Sequence, residues 1–405
     1  MNIAHSSIYT ICKLILWLIS TYSCINSFDN TIFAYYNHIM RESNTNFLNI
    51  MKFMMSIFVI IVHFSPFKSI DPILHFISIH GFTRVAVPFF VLSAGYFVSN
   101  NGKIGKQQLS KTLKKLLYLY LFWTMVYLPL IIIEFDQLGH QLTLLYIVQR
   151  FVFKGTFFHL WYFAAIALSI VLIYIFQQVF SLKSLFFLSL ILYVIGALND
   201  SYYYLSTNFS LLESLSNVLQ SMFYGVRNGL FYTPIFVVIG IMMKNMKQEI
   251  KLSHLILSVV LTSFLLLAEI SLIRYHSWAL DYNITFSILP FSVIIFIISL
   301  RINYPHKTNQ FKEMAATIFY THILFYVFVQ LAFFKRNIET FRTYGFYEFL
   351  ITTLITIVFA LLIQYFKKIR LIKKYFIYYN NTQLALSWVL FIYSCLLKSS
   401  NKSLY

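Results

Sequence analysis

FLNIMKFMMSIFVIIVHFSPF, residues 47–67, is an apolar run of membrane-spanning length that nevertheless holds a lysine, Lys52, and a histidine, His63. A transmembrane helix needs about 20 apolar residues. An ionisable side chain inside one is costly, so it marks a functional site by default. The two residues are eleven positions apart. At about 100° and 1.5 Å per residue they share nearly one helix face, roughly 16 Å apart along the axis. A cation at one end of a span and an imidazole toward the other suit a long, phosphate-bearing donor threaded between them. The alternative is an interfacial lysine and a packed, hydrogen-bonded histidine, and these two residues alone do not decide between the readings.

The rest of the chain is of the same kind. Its 405 residues are 59% hydrophobic and 11% charged, with a mean hydropathy of +0.73. Soluble domains carry about 25% charged residues. The expectation is all-α: a polytopic transmembrane helix bundle. The net charge of +18 would suggest nucleic acid in a soluble protein. Here the Lys and Arg fall mainly in short loops between apolar runs, which is the positive-inside pattern, with anionic membrane lipid as partner and no nucleic acid. Cys12, Cys24 and Cys395 offer neither a disulfide framework nor zinc spacing. No Walker A, GxGxxG or HExxH motif occurs, which removes support for ATP-driven pumping and zinc hydrolysis.

Ten spans are expected, near 47–66, 81–99, 116–133, 159–179, 183–198, 227–243, 253–273, 283–300, 314–334 and 346–366. With the start of the first in the cytoplasm, Lys103, Lys106, Lys111, Lys114, Lys115, Lys244, Lys247, Lys251, Lys312 and the run KKIRLIKK at 367–374 lie inside. Asp71, Glu134, Asp136, Asp200, Glu213, Asp281 and Glu339 lie outside. Residues 1–46 read as an amino-terminal extension whose apolar stretch 10–25 forms a surface helix or an extra span. Residues 47–370 read as the transmembrane domain, and 371–405 as a cytoplasmic tail with a short apolar segment at 384–397. A polar stretch, 199–226, is expected outside, with a short helix at 209–223.

This topology sorts the polar residues by depth. His63, Arg84, His159 and Arg227 all fall near the outer ends of spans, and Glu269 and Arg274 near the outer end of the seventh. Singly, each reads as a side chain snorkelling to headgroups; their common depth points to a shared polar cavity. His322 lies near mid-span, where it could line that cavity or bond a neighbouring backbone. Glu269 and Arg274 could form an ion pair, Pro129, Pro234 and Pro290 could kink their spans, and no metal site is expected around His75 and His80.

Lys52-x10-His63, RVAVPFFVLSAGYF at 84–97, KTLKKLLYLYLFW at 111–123, HLWYF at 159–163, RNGLFYTPIFVVIG at 227–240 and IFYTHILF at 318–325 occur in one order. This ordered set resembles the acyltransferase 3 family of bacterial integral-membrane acyltransferases, over roughly 47–370. Lys52 stands where that family usually has Arg, and Ala94 where Ser is common, with Ser93 beside it. HLWYF with RNGLFYTPIF is also similar to the membrane portion of membrane-bound serine/alanine racemases; racemisation is not carried over.

The resemblance implies transfer of an acyl group, usually acetyl, from cytoplasmic acyl-CoA to a hydroxyl of an extracytoplasmic glycan or lipid-linked sugar, in the bacterial plasma membrane. A sugar hydroxyl needs a general base near neutral pH, and His63 is the candidate, as base or as acyl carrier. Arg84 is the candidate to hold the negative charge that develops on oxygen. Lys52, Lys111, Lys114 and Lys115 are candidates for the phosphates of acetyl-CoA, although plain positive-inside topology accounts for such lysines too. His159, Arg227 and His322 would line the substrate cavity. A transporter of sugar or amino-acid material, or an inactive member scaffolding glycan synthesis, would use the same cavity without chemistry.

Overall fold

The computed structural model describes residues 45–138, 143–245, 250–332 and 345–368. The expected amino-terminal extension, the tail, the apolar stretches 10–25 and 384–397, the three cysteines, Lys247 and Glu339 lie outside the described residues.

Among the described residues the backbone is all-α, without a strand. The chain runs through α1 (Asn46–Phe64), α2 (Pro72–His80), α3 (Ala86–Val98), α4 (Lys106–Leu138), α5 (Leu144–Gln149), α6 (Trp161–Phe176) and α7 (Leu182–Leu198). It continues through α8 (Tyr203–Ser206), α9 (Ser210–Phe223), α10 (Pro234–Asn245), α11 (Leu252–Tyr275), α12 (Ile288–Arg301), α13 (Asn309–Ala332) and α14 (Phe346–Lys368). Every expected span contains one of these helices, and α9 falls where the outside helix was expected. Asn46–Phe64, Pro72–Val98, Lys106–Phe135, Leu252–Tyr275 and Phe346–Phe366 are long and apolar enough to cross a membrane; Trp161–Phe176, Leu182–Leu198, Pro234–Asn245 and Ile288–Arg301 are shorter apolar helices.

Leu117, Leu121, Met125, Leu128 and Ile132 form an exposed stripe along α4, and Ile256, Val260, Leu261 and Phe264 form another on α11. Their spacing of three to four residues keeps each stripe on one face. Large apolar surfaces of this kind are stable against lipid, not water. The polar side chains turn inward: Ser56, Ser169, Thr233, Asn283, Ser292 and His322 are all buried.

The outer ends of four expected spans differ from the sequence reading. Residues 81–85, 159–160, 227–233 and 283–287 are not α-helical. Phe82–Val85 is a 3-10 turn, and α6, α10 and α12 start at Trp161, Pro234 and Ile288. Hydropathy measures how apolar a window is, not its backbone angles, so it extended each helix too far. Irregular backbone at membrane depth survives only where protein satisfies it or a cavity solvates it. Here protein does so: the Asn228 side-chain Oδ1 accepts from the Leu230 and Phe231 amides at 2.8 and 3.1 Å. Ser169 donates to the Gly229 carbonyl at 2.9 Å. Pro234, expected to kink a span, opens α10 instead, a position where the missing N–H costs nothing. Pro290 lies in the first turn of α12, where an amide has no intrahelical acceptor either. Pro129 does lie inside α4.

Two glycines lock the helices that follow Arg84 and Arg227. A Cβ on Gly95 of α3 would sit 2.2 Å from the Val237 carbonyl oxygen, and one on Gly240 of α10 would sit 2.3 Å from that of Leu92. Backbone meets backbone, so no side chain can move aside. Small residues let membrane helices approach this closely. Gly95→Val is therefore expected to force α3 and α10 apart. Overpacking costs typically 1–3 kcal/mol or more, and the variant should show lower membrane abundance and a lower Tm in detergent. Wild-type yield and Tm would contradict this packing.

Candidate functional site

Three histidines from three segments meet at the end of α1 away from Lys52. His63 stacks on His322 of α13 with ring centroids 5.4 Å apart and an interplanar angle of 28°. His159, just before α6, meets His322 edge-on at 5.6 Å. His322 is fully buried and His159 is 2% exposed. The Nδ1 of His322 lies 3.0 Å from the Ile318 carbonyl, so in the neutral ring Nδ1 carries the hydrogen and Nε2 the lone pair. That Nε2 and both nitrogens of His159 are buried without a partner among the described residues. An aromatic collar closes around them: Tyr127 at 4.6 Å and Phe157 at 5.5 Å from His159, and Phe158 at 5.3 Å from His63. The Tyr127 hydroxyl donates to the Tyr320 carbonyl at 2.7 Å, tying α4 to the helix that carries His322.

His63 also faces a cavity, which it shares with Val59, Thr83, Arg84, Trp161, Arg227, Tyr232 and Asn283, among others. Two of these residues are cations, and one neutral side chain joins them. The Asn283 Oδ1 accepts from Arg84 Nη1 and, at 3.0 Å, from Arg227 Nη1. The other end of the same amide donates to Asp200 Oδ2 at 3.0 Å. Asp200 Oδ1 accepts from the Asn283 and Ile284 amides at 2.8 and 3.1 Å and from Ser201 at 3.1 Å. Four donors on two oxygens form the pattern of an ionised carboxylate. Asp200 thus fixes which way the Asn283 amide points.

The two arginines differ in how much of their fork is used. Arg84 gives Nε to the Ile79 carbonyl at 2.9 Å and Nη2 to Asp281 at 3.2 Å, besides its bond to Asn283. Among the described residues Arg227 makes one hydrogen bond, to Asn283, and lays its guanidinium 4.9 Å from the Trp161 ring centre. Asp281 lies in the loop between α11 and α12, outside the spans. Burial pushes its carboxyl up, but the Arg84 and Arg227 guanidiniums outweigh that and hold it below the ordinary carboxylate range.

The remaining candidates sit elsewhere. Lys52 points its Nζ at the Phe97 ring, 4.6 Å away, and the charges of Lys312 and Lys115 bear on it most strongly. Lys111 and Lys114 are exposed, as is Lys115. The structure therefore groups His63, Arg84, His159, Arg227 and His322 at one end of the bundle and leaves Lys52 with the lysines at the other. Glu269 and Arg274 do not pair. Five helical steps place them about 140° apart around α11. Glu269 instead accepts from the Tyr202 hydroxyl and the Phe286 and Ser287 amides at 2.5, 2.7 and 2.6 Å, and Arg274 covers the Phe76 ring at 4.4 Å.

Asn283 is absent from the sequence candidates, and Asp200 and Asp281 enter the sequence reading only as acids of the outside segments. Asp200 is in fact 6% exposed. A short polar residue in a loop between spans looks the same in sequence whether it faces water or a neighbour. The one usable signal was DYN at 281–283, directly before an apolar run and opposite ND at 199–200.

The fold and site define a multi-pass helical membrane protein with a polar cavity at one end of its bundle. The profile of a family described as an acyltransferase domain matches residues 45–365, and the chain belongs to the acyltransferase 3 family. Among curated proteins it is 26% identical over 295 residues to an "Amino-acid racemase" of Enterococcus faecalis, covering 71% of this chain and 42% of that protein. It is 29% identical over 231 residues to a "Serine/alanine racemase" of Enterococcus gallinarum, covering 56% of this chain and 32% of that protein. The aligned part is thus less than half the length of these curated relatives. No solved structure matches the chain.

Proposed function

We propose that this membrane protein transfers an acyl group, most simply acetyl, from acyl-CoA on the cytoplasmic side to a hydroxyl of an extracytoplasmic glycan or lipid-linked sugar. The observation that carries the reading is the placement of His63 in one cavity wall with Arg84. The imidazole takes the proton of the acceptor hydroxyl as its oxygen attacks the thioester carbonyl carbon. Negative charge moves to the carbonyl oxygen, where Arg84 lies in a water-poor cavity in which a cation is most effective. Collapse expels the CoA thiolate, which takes the proton back from the imidazolium. Lys52, with Lys115 and Lys312 near it, would hold donor phosphates at the other end of the bundle; Lys111 and Lys114 would add to that charge.

The similarity to proteins named racemases supports a second reading, a carrier of amino-acid material. Purified protein in nanodiscs, given acetyl-labelled acetyl-CoA, separates the two. Label released as acetate or found on an added glycan acceptor is expected. Transport of amino acid in proteoliposomes without acyl turnover would favour the carrier and remove the acyltransferase assignment.

A further inference from the structure

We propose that the cavity seats an anionic group of its substrate, a carboxylate or phosphate, on Arg227, so that the acceptor is a hydroxyl compound carrying a negative charge close to the hydroxyl that reacts. The inference rests on the acyltransferase reading only for the word acceptor; the anion seat itself does not depend on it.

Arg227 has more of its fork free for a ligand than Arg84 has. Three of the five N–H donors of Arg84 are already spent on Ile79, Asn283 and Asp281. Arg227 donates once, to Asn283, and keeps the rest of a five-donor fork. Trp161 lies against its face, and contact with a ring face leaves the planar N–H edge free to engage a carboxylate or phosphate bidentately. Both charged residues lining the cavity besides the histidine are cations. The neighbouring carboxylates stand behind the wall: Asp281 on Arg84 and Asp200 on the backbone amides of Asn283 and Ile284.

The bond to Asn283 carries a second clue. A carboxylate between the two arginines would have neutralised them. The sequence places a neutral amide there, its oxygen turned to both guanidiniums by Asp200. That arrangement holds two like charges side by side; Asp281 pairs with Arg84, while the Asn283 amide adds no negative charge beside Arg227. One helix start adds to the same field. Trp161 opens α6 and lines the cavity, so a positive helix end faces it, as in transporters that hold carboxylates. His63 in the same wall sets the reacting hydroxyl within one small molecule's reach of the anion.

The test is binding without donor, in nanodiscs of zwitterionic lipid. Methyl glucuronide and glucose 6-phosphate supply an anion beside hydroxyls, and methyl glucoside is the neutral control. Both anions are expected to raise the Tm of the wild type while the glucoside does not. Arg227→Gln should weaken the anions by about 10- to 100-fold, the loss of a charge-assisted hydrogen-bond pair. Arg227→Lys, which keeps the charge and loses the fork, should fall between. The variants' Tm without ligand shows whether they fold. Equal response to the neutral sugar, an undiminished response in a folded Arg227→Gln protein, or no response to either anion would overturn the proposal. Stabilisation that appears only with phosphatidylglycerol in the disc, indifferent to the soluble probes, would identify a resident lipid and overturn it too. Anion binding with no acyl transfer from acetyl-CoA would leave the seat standing and defeat the acyltransferase reading instead.

Discussion

Replacing His63 with alanine is expected to lower acyl transfer per molecule by about 10²- to 10⁴-fold, the usual loss on removing a general base, and by more if the imidazole carries the acyl group. The protein should still reach the membrane at near-normal abundance, because His63 lines a cavity and leaves less unfilled space than a core residue would. A purely packed histidine forecasts the opposite: lower abundance or Tm, with normal specific activity in what survives. Acceptor acylation measured beside membrane abundance separates the two. Normal acylation per molecule would move the base elsewhere, and the stack directs that search first to His322, whose Nε2 has no partner among the described residues, and then to His159. The three rings touch in series, so the His322→Ala variant also reports whether the neighbour supports His63 or replaces it.

The second large effect is expected at Asp200, a residue outside the lining of the cavity that holds His63. An asparagine at 200 keeps one acceptor oxygen for the Asn283 and Ile284 amides. Its Nδ2 then faces the Asn283 Nδ2, donor against donor. Relief comes by rotating the Asn283 amide, which points its N–H groups at Arg84 and Arg227 and leaves both without their shared acceptor. A buried donor left unpaired costs about 1–3 kcal/mol, so transfer or acceptor binding should fall roughly 10- to 100-fold. Structural damage alone would give a similar number, and the reciprocal change tells them apart. In Asp200→Asn/Asn283→Asp the new amide donates to the new carboxylate, whose other oxygen faces both arginines; the hydrogen bonds are restored, but the guanidiniums are now neutralised. Recovered Tm with acceptor binding still lost supports a positioning role for Asp200. Recovery of both would mean that Asp200 acts through the fold alone.

The spans were legible because apolar length is a local property: 47–66 and 253–273 differ from α1 and α11 only at their margins. His63, Arg84, His159 and Arg227 were legible as a set because each sits at the same depth of its own span. What depth could not give was azimuth. Nothing in IFYTHILF tells which way His322 faces, and its stack on His63 follows from the packing of α13 against α1. Glu269 and Arg274 were misread for the related reason that proximity in sequence was taken for proximity on the helix surface. Asn283 escaped because a neutral side chain gives no alarm at a span end. Its importance comes from the two charges that other parts of the chain bring to it.

The short loop that carries Asn283 is fastened by its own backbone. Asp200 holds the amides of Asn283 and Ile284 from one side, and Glu269, on a different helix, holds those of Phe286 and Ser287 from the other. Ordering a residue's backbone costs about 1–2 kcal/mol, and here that entropy is lost once, when the chain folds. Water around a reacting thioester must turn its dipoles as charge moves from oxygen to oxygen. A loop pinned at four amides within five residues cannot turn, and its field stands before any reactant arrives. Asp200 and Glu269 make this stretch of protein behave as a frozen solvent, aligned in advance for a charge distribution that exists only at the top of the barrier.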